Sequence, residues 1–155
     1  ANICTALQLI AERNPDVEVV YPVHLNPNVS GPVHRILQGT QRVHLLGPLG
    51  YAPFIWLMKR SYLILTDSGG IQEEAPSLGK PILVMRKKTE RPEGIEAGAA
   101  VLVGVPTESI VSETQRLLDH ADTYARMANV RNPYGDGKAA KRIADILAEW
   151  FGADD

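Results

Sequence analysis

One cysteine is the whole thiol content of this 155-residue chain. Cys4 has no partner for an internal disulfide, and no set of cysteines and histidines has the spacing of a structural zinc site. A reducing compartment, the cytoplasm, is therefore expected. An excess of charge of one sign is also missing: 16 basic residues face 18 acidic ones, for a net charge of −2. No basic field draws the chain to nucleic acid or to an anionic membrane surface. No apolar run approaches the roughly 20 residues that a bilayer-spanning helix needs. The opening stretch, ANICTALQLIAERN, has no initiator Met and no basic n-region, so it is not a signal peptide. It reads as a helix already under way, and the chain is expected to be cut from something longer. There is no internal repeat, no low-complexity tract and no GxGxxG fingerprint of dinucleotide binding.

What is present is ordinary globular composition, 45% apolar and 22% charged. The length suffices for one domain with a real core, 1–155. Short β-branched runs occur at Val17–Val23, Arg42–Leu46, Tyr62–Thr66, Pro81–Met85 and Ala100–Val103. Between them, helical spacing covers Cys4–Arg13, Val33–Leu37, Pro53–Lys59, Ile110–Leu118 and Lys138–Phe151. Strands alternating with helices predict βαβ units and a parallel sheet. The strands are almost continuously apolar, as both-faced burial requires. Right-handed crossovers then give an α/β, doubly wound, Rossmann-like domain, with extra helices after Gly104.

The chemistry concentrates in TDSGGIQEEAPSLGKPILVM, residues 66–85. Asp67-Ser68-Gly69-Gly70 directly follows the strand that ends at Thr66. In open parallel sheets, ligands bind beyond the carboxyl ends of strands. Gly69 and Gly70 allow close approach to bare backbone. A helix starting near Gly70 would aim unpaired N–H groups and its positive dipole end outward, which favours an anion such as a diphosphate. Ser68 could cap that helix or donate its hydroxyl to the anion. The plainer alternative is a tight, capped strand-to-helix turn with no ligand. Glu73 and Glu74 lie one turn further on, where a carboxylate can accept bonds from ribose hydroxyls. They sit about 100° apart round the helix, so only one can face a ligand well. Pro76 predicts a short or kinked helix that ends at Gly79.

Five motifs occur in order: Tyr21-Pro22-Val23-His24-Leu25-Asn26-Pro27, Tyr51 with Pro53-Phe54, residues 66–85, Thr89-Glu90-Arg91-Pro92-Glu93, and Asn132-Pro133-Tyr134-Gly135-Asp136-Gly137. Their order and spacing resemble the C-terminal domain of the bacterial non-hydrolysing UDP-N-acetylglucosamine 2-epimerases, over essentially the whole chain. The resemblance implies the C-terminal half of a GT-B-type fold, in a cytoplasmic enzyme of polysaccharide biosynthesis that is a homodimer when full-length. It implies interconversion of UDP-GlcNAc and UDP-ManNAc by elimination of UDP and re-addition, with no metal and no other cofactor. The proton-transferring carboxylates would lie in the absent N-terminal domain, leaving the isolated chain inactive. By motif, Ser68, Gly69 and Gly70 would hold the diphosphate, Glu74 the ribose, Phe54 would lie by the uracil, and Arg91 by the phosphates. His24 would resemble a contact to a second, activating UDP-GlcNAc. On local grounds alone His24 is a turn or core residue.

The pattern departs from the family at Gly47-Pro48-Leu49-Gly50, where Leu49 replaces a Gln that many members carry near the uracil. The donor half of a GT-B glycosyltransferase would share the turn and the ribose glutamate but not the Thr89–Glu93 motif. A hydrolysing 2-epimerase is a nearer alternative. A receiver-like module would need an acidic cluster at strand ends, and only Asp67 is so placed. Of the rest, His34, His44 and His120 lack metal spacing, and Lys87 and Lys88 read as solvated. Trp56 and Met58 read as packing, and Asp119 and Asp122 as surface charges between helices. The 132–137 loop is expected to pack the last helix back across the domain.

Overall fold

The computed structural model describes residues 1–152. Its elements run α1 (Asn2–Arg13), β1 (Val19–Pro22), α2 (Pro27–Leu37), β2 (Val43–Leu46), α3 (Tyr51–Arg60), β3 (Ile64–Thr66) and α4 (Gly69–Glu74). A 3₁₀ turn (Ala75–Leu78) is followed by β4 (Ile82–Val84), α5 (Pro92–Glu96), β5 (Ala100–Leu102), α6 (Thr107–Asp119), α7 (Ala121–Ala128) and α8 (Ala139–Phe151). All five expected strands form, and all pairings are parallel. The hydrogen-bonded ladders fall into two pieces, β1–β2 and β3–β4–β5. Common packing joins them: Leu65 of β3 and Ile3 of α1 touch the apolar clusters behind both pieces.

β4 shows why the strands are so apolar. Ile82, Leu83 and Val84 are all fully buried. Leu83 packs with Ala6 and Ile10 of α1 and Ile110 and Leu117 of α6. Ile82 and Val84 point the other way, into a cluster with Met58 of α3 and Ala75 of the 3₁₀ turn. Successive strand side chains face opposite sides, so a strand covered by helices on both needs apolar residues at every position. Each such side chain contributes roughly 1.5–3 kcal/mol on full burial.

The run after β3 takes the broken form that Pro76 requires. Proline cannot donate to the carbonyl four residues back, so α4 gives way to a 3₁₀ turn with Pro76 in its first positions. Gly79 closes it at φ +64, with its N–H bonded to the Pro76 carbonyl at 3.1 Å.

Two regions differ from expectation. α5 and α7 are additional helices, which puts Asp119 at the end of α6 and Asp122 in the first turn of α7. α8 forms where helical spacing placed it but buries none of its side chains. Ile143, Ile146, Leu147, Trp150 and Phe151 are 49–81% exposed. The helix therefore does not pack back across the domain, since no surface among the described residues covers its apolar face.

Candidate functional site

The parallel register brings the site together. Thr66 at the end of β3 pairs with Val84 at the end of β4. The Asp67–Gly70 turn and the 86–91 loop therefore leave neighbouring strands at the same sheet edge. Ser68 occupies the N-cap of α4 in an extended conformation but makes no side-chain cap bond. Its hydroxyl is not used by the helix start, while its backbone N–H donates to Thr66 Oγ1 at 3.0 Å.

Gly69 is the most confined point of this edge. A Cβ built there would lie 2.6 Å from Glu90 Oε1 and 3.8 Å from Arg91 Nη2. Gly69 is not among the residues with positive φ, so close approach and not backbone conformation is what its missing side chain serves. Gly70 has open space at the same position. The carboxylate over Gly69 is held by Arg86, whose Nη1 donates to Glu90 Oε2 at 2.6 Å. A hydrogen bond from its own backbone amide, helped by Arg86 and opposed by partial desolvation, keeps the Glu90 carboxyl below its ordinary range. Loop and turn thus place an anionic group beside Gly69, flanked by two guanidiniums.

Arg91 is fixed from several sides. Its Nε donates to Glu73 Oε1, and this bond makes the guanidinium still harder to deprotonate. Its carbonyl accepts from the Tyr134 hydroxyl at 3.2 Å, and that hydroxyl in turn accepts the Gly94 N–H at 2.9 Å. Burial raises the Tyr134 pKa above its ordinary value. Asn132 Nδ2 donates to the Glu73 carbonyl at 3.1 Å and to Ser77 Oγ at 2.5 Å. The Asn132–Gly137 loop is structural, as its turn chemistry predicted, but what it ties together is α4 and the start of α5.

The glutamate pair divides as helix geometry requires. Glu73 is committed to Arg91. Glu74, half-buried, has no hydrogen-bond or ion-pair partner among the described residues. Phe54 packs against the Met58–Ala75 cluster at the near end of α3. Trp56 departs from the packing expected of it: it is 59% exposed, with the Arg60 guanidinium 4.7 Å from its ring centroid. Met58 is core as expected. His24 is exposed, and its Nδ1 accepts the Asn26 N–H at 3.1 Å, so it is a turn residue and not a core one. Lys87 and Lys88 are exposed. His44 pairs with Glu18 at the opposite end of the β1–β2 ladder, away from this edge.

Sequence reasoning missed Gln72, Thr89 and Glu90. Gln72 is 1% exposed, and its amide reaches both Ser68 and Thr89. The available signal was its spacing: it lies one turn beyond Ser68, on the inward face of a helix whose neighbouring glutamates face out.

A model of the protein family described as UDP-N-acetylglucosamine 2-epimerase matches residues 1–148. The chain is 57% identical to the UDP-N-acetylglucosamine 2-epimerases of Campylobacter jejuni and of Escherichia coli K12, each over 145 residues and 94% of this chain. It spans 38% and 39% of those proteins, about two-fifths of their length. Among solved structures it matches the Neisseria meningitidis UDP-GlcNAc 2-epimerase bound to UDP-GlcNAc, with TM-score 0.92, 47% identity, and coverage of 96% of this chain and 40% of that one. It also matches the Staphylococcus aureus MnaA–UDP co-structure, with TM-score 0.93, 42% identity, and coverage of 97% and 41%.

Proposed function

The chain belongs to the UDP-N-acetylglucosamine 2-epimerase family, and from that premise we propose that it is the UDP-holding part of an enzyme interconverting UDP-GlcNAc and UDP-ManNAc. In this reading, residues 1–155 form one nucleotide-binding domain of a GT-B-type enzyme. The reaction eliminates UDP to give 2-acetamidoglucal and returns it to the other face. The observation that carries the reading is the Ser68–Gly69–Gly70 turn at the β3 carboxyl edge, with an uncommitted Ser68 hydroxyl, a Gly69 backbone covered only by the end of the half-exposed Glu90 side chain, and Arg91 alongside.

Charge grows on the UDP phosphates as the glycosidic bond breaks, so donors aimed at them stabilise the transition state more than the ground state. Ser68 Oγ and the Gly69 and Gly70 N–H groups supply such donors. Arg91 adds a forked cation that suits phosphate geometry. Glu74 accepts from the ribose hydroxyls, a role its lack of other partners leaves open, while Glu73 holds Arg91. Phe54 lies by the uracil. His24 keeps Nε2 for a second UDP-GlcNAc, since its Nδ1 is taken by the turn. No residue of this chain is assigned to proton transfer, which falls to the rest of a longer, homodimeric, cytoplasmic enzyme that feeds polysaccharide synthesis.

Calorimetric titration with UDP, UDP-GlcNAc and ADP, repeated with Glu74→Ala, tests the reading. The uridine ligands bind, ADP does not, and the variant loses the binding. Equal binding of ADP, or uridine binding unchanged by Glu74→Ala, would overturn it.

A further inference from the structure

The Gln72 side chain is buried, yet it is not apolar filling. Its Nε2 donates to the Ser68 carbonyl at 3.1 Å, and its Oε1 accepts the Thr89 hydroxyl at 2.7 Å. Thr89 Oγ1 then accepts the backbone N–H of Arg91 at 3.0 Å. The direction of the relay is set by its ends. The Ser68 carbonyl can only accept and the Arg91 amide can only donate, so the Gln72 amide has one workable orientation and the Thr89 proton one destination. A buried amide with any partner missing would be costly, whereas this one is bonded at both ends.

The relay joins a turn and a loop that leave different strands, through Gln72 and Thr89, which lie 17 residues apart in sequence. One holds Ser68 and Gly69, and the other holds Arg91. From this geometry we infer that Gln72 is a positioning residue for ligand binding, which sets the Ser68–Gly69 turn and Arg91 at a fixed separation through Thr89. The inference rests on the proposed UDP site. A diphosphate bridging the turn and the guanidinium needs both on one frame, and a side chain locked by two hydrogen bonds supplies it. Glutamate at this position would fill the same volume but set a carboxylate oxygen against the Ser68 carbonyl.

The test uses the full chain with Gln72→Met, which keeps the volume and removes both bonds, with Thr89→Val, and with the double variant. Each is titrated with UDP. In parallel, the Arg91 Nε–H resonance is followed in ¹⁵N-arginine-labelled protein without ligand. The expected result is a Kd for UDP raised about tenfold in either single variant and no further in the double, because both break one relay. The Arg91 resonance moves or broadens in both. An unmoved Arg91 resonance in the folded variants, or affinity losses that multiply in the double variant, would overturn the inference. Thr89 is only half-buried, so Thr89→Val decides the matter should Gln72→Met fail to fold. If the wild-type chain binds no UDP, the proposed function fails, while the ligand-free resonance still decides the role of Gln72.

Discussion

Replacing Gly69 by alanine separates a ligand seat from a mere turn. The added Cβ meets Glu90 Oε1 at 2.6 Å. That oxygen ends a flexible, half-exposed side chain, so Glu90 can swing away, giving up an Arg86 pair that solvent already screens. Against this, Gly→Ala in a helix gains up to roughly 0.5–1 kcal/mol, and less at a first helical residue. The net effect on folding is near zero, and Tm stays within about 4 °C, since 1 kcal/mol corresponds to roughly 2–4 °C at this chain length. Binding responds differently. If the turn holds the UDP phosphates as proposed, the methyl group stands in their approach to the Gly69 and Gly70 amides, and each charge-assisted bond lost costs about 1.5–3 kcal/mol. UDP affinity should therefore fall by at least about tenfold. Differential scanning calorimetry and isothermal titration on the same sample read both effects. Unchanged Tm together with wild-type UDP affinity would refute the reasoning, since the methyl group would then occupy space that no ligand uses.

Gly94→Ala should act on stability instead. Its Cβ would lie 2.8 Å from Tyr134 Oη, displacing the hydroxyl that accepts the Gly94 N–H and donates to Arg91. A loss of about 2 kcal/mol, or roughly 4–8 °C in Tm, is expected, and an unshifted melting curve would count against it. Acid should loosen the lead-in to α8. The Arg142 fork first, then the Lys138 amide, holds the Asp136 carboxyl below its ordinary pKa. The folded pKa lies under the unfolded one, so this contribution is present above the ordinary carboxylate range and is lost as pH falls through the folded value. Exchange of the Lys138 amide, compared with Asp136→Asn, should converge with the variant's at low pH; a constant difference would speak against it.

The five strands were legible because each is a short run rich in β-branched and other apolar residues, set between stretches with helical spacing, although only β4 is buried at every position. α7 was not, since Met127 is its one buried residue and a single anchor has no period. α5 escaped because it is five residues long and opens on Pro92, within a motif that reads as a loop. The turn and Arg91 could be found because their chemistry is local: glycines, a serine and a cation beside strand ends. Gln72 and Thr89 could not, since their bond exists only once Thr66 pairs with Val84. That only one glutamate could face a ligand followed from 100° per residue, and the motif resemblance named Glu74; the structure adds that Glu73 is committed to Arg91. The same arithmetic explains Trp56: it sits about 200° from Phe54, on the far side of α3 from the core.

α1 and α6 bury one another, with Ala6 and Ile10 packed against Ile110 and Leu117, and Asn14 bonded to Gln115 across 101 positions of sequence. On a ribosome the first helix is therefore made long before its cover. At about 5–20 residues per second, its apolar face waits roughly 5–20 s for α6 to emerge. During synthesis the Ala6–Ile10 face of that helix stays open to chaperones until α6 arrives, and slower translation of the codons between the two helices would lengthen its exposure.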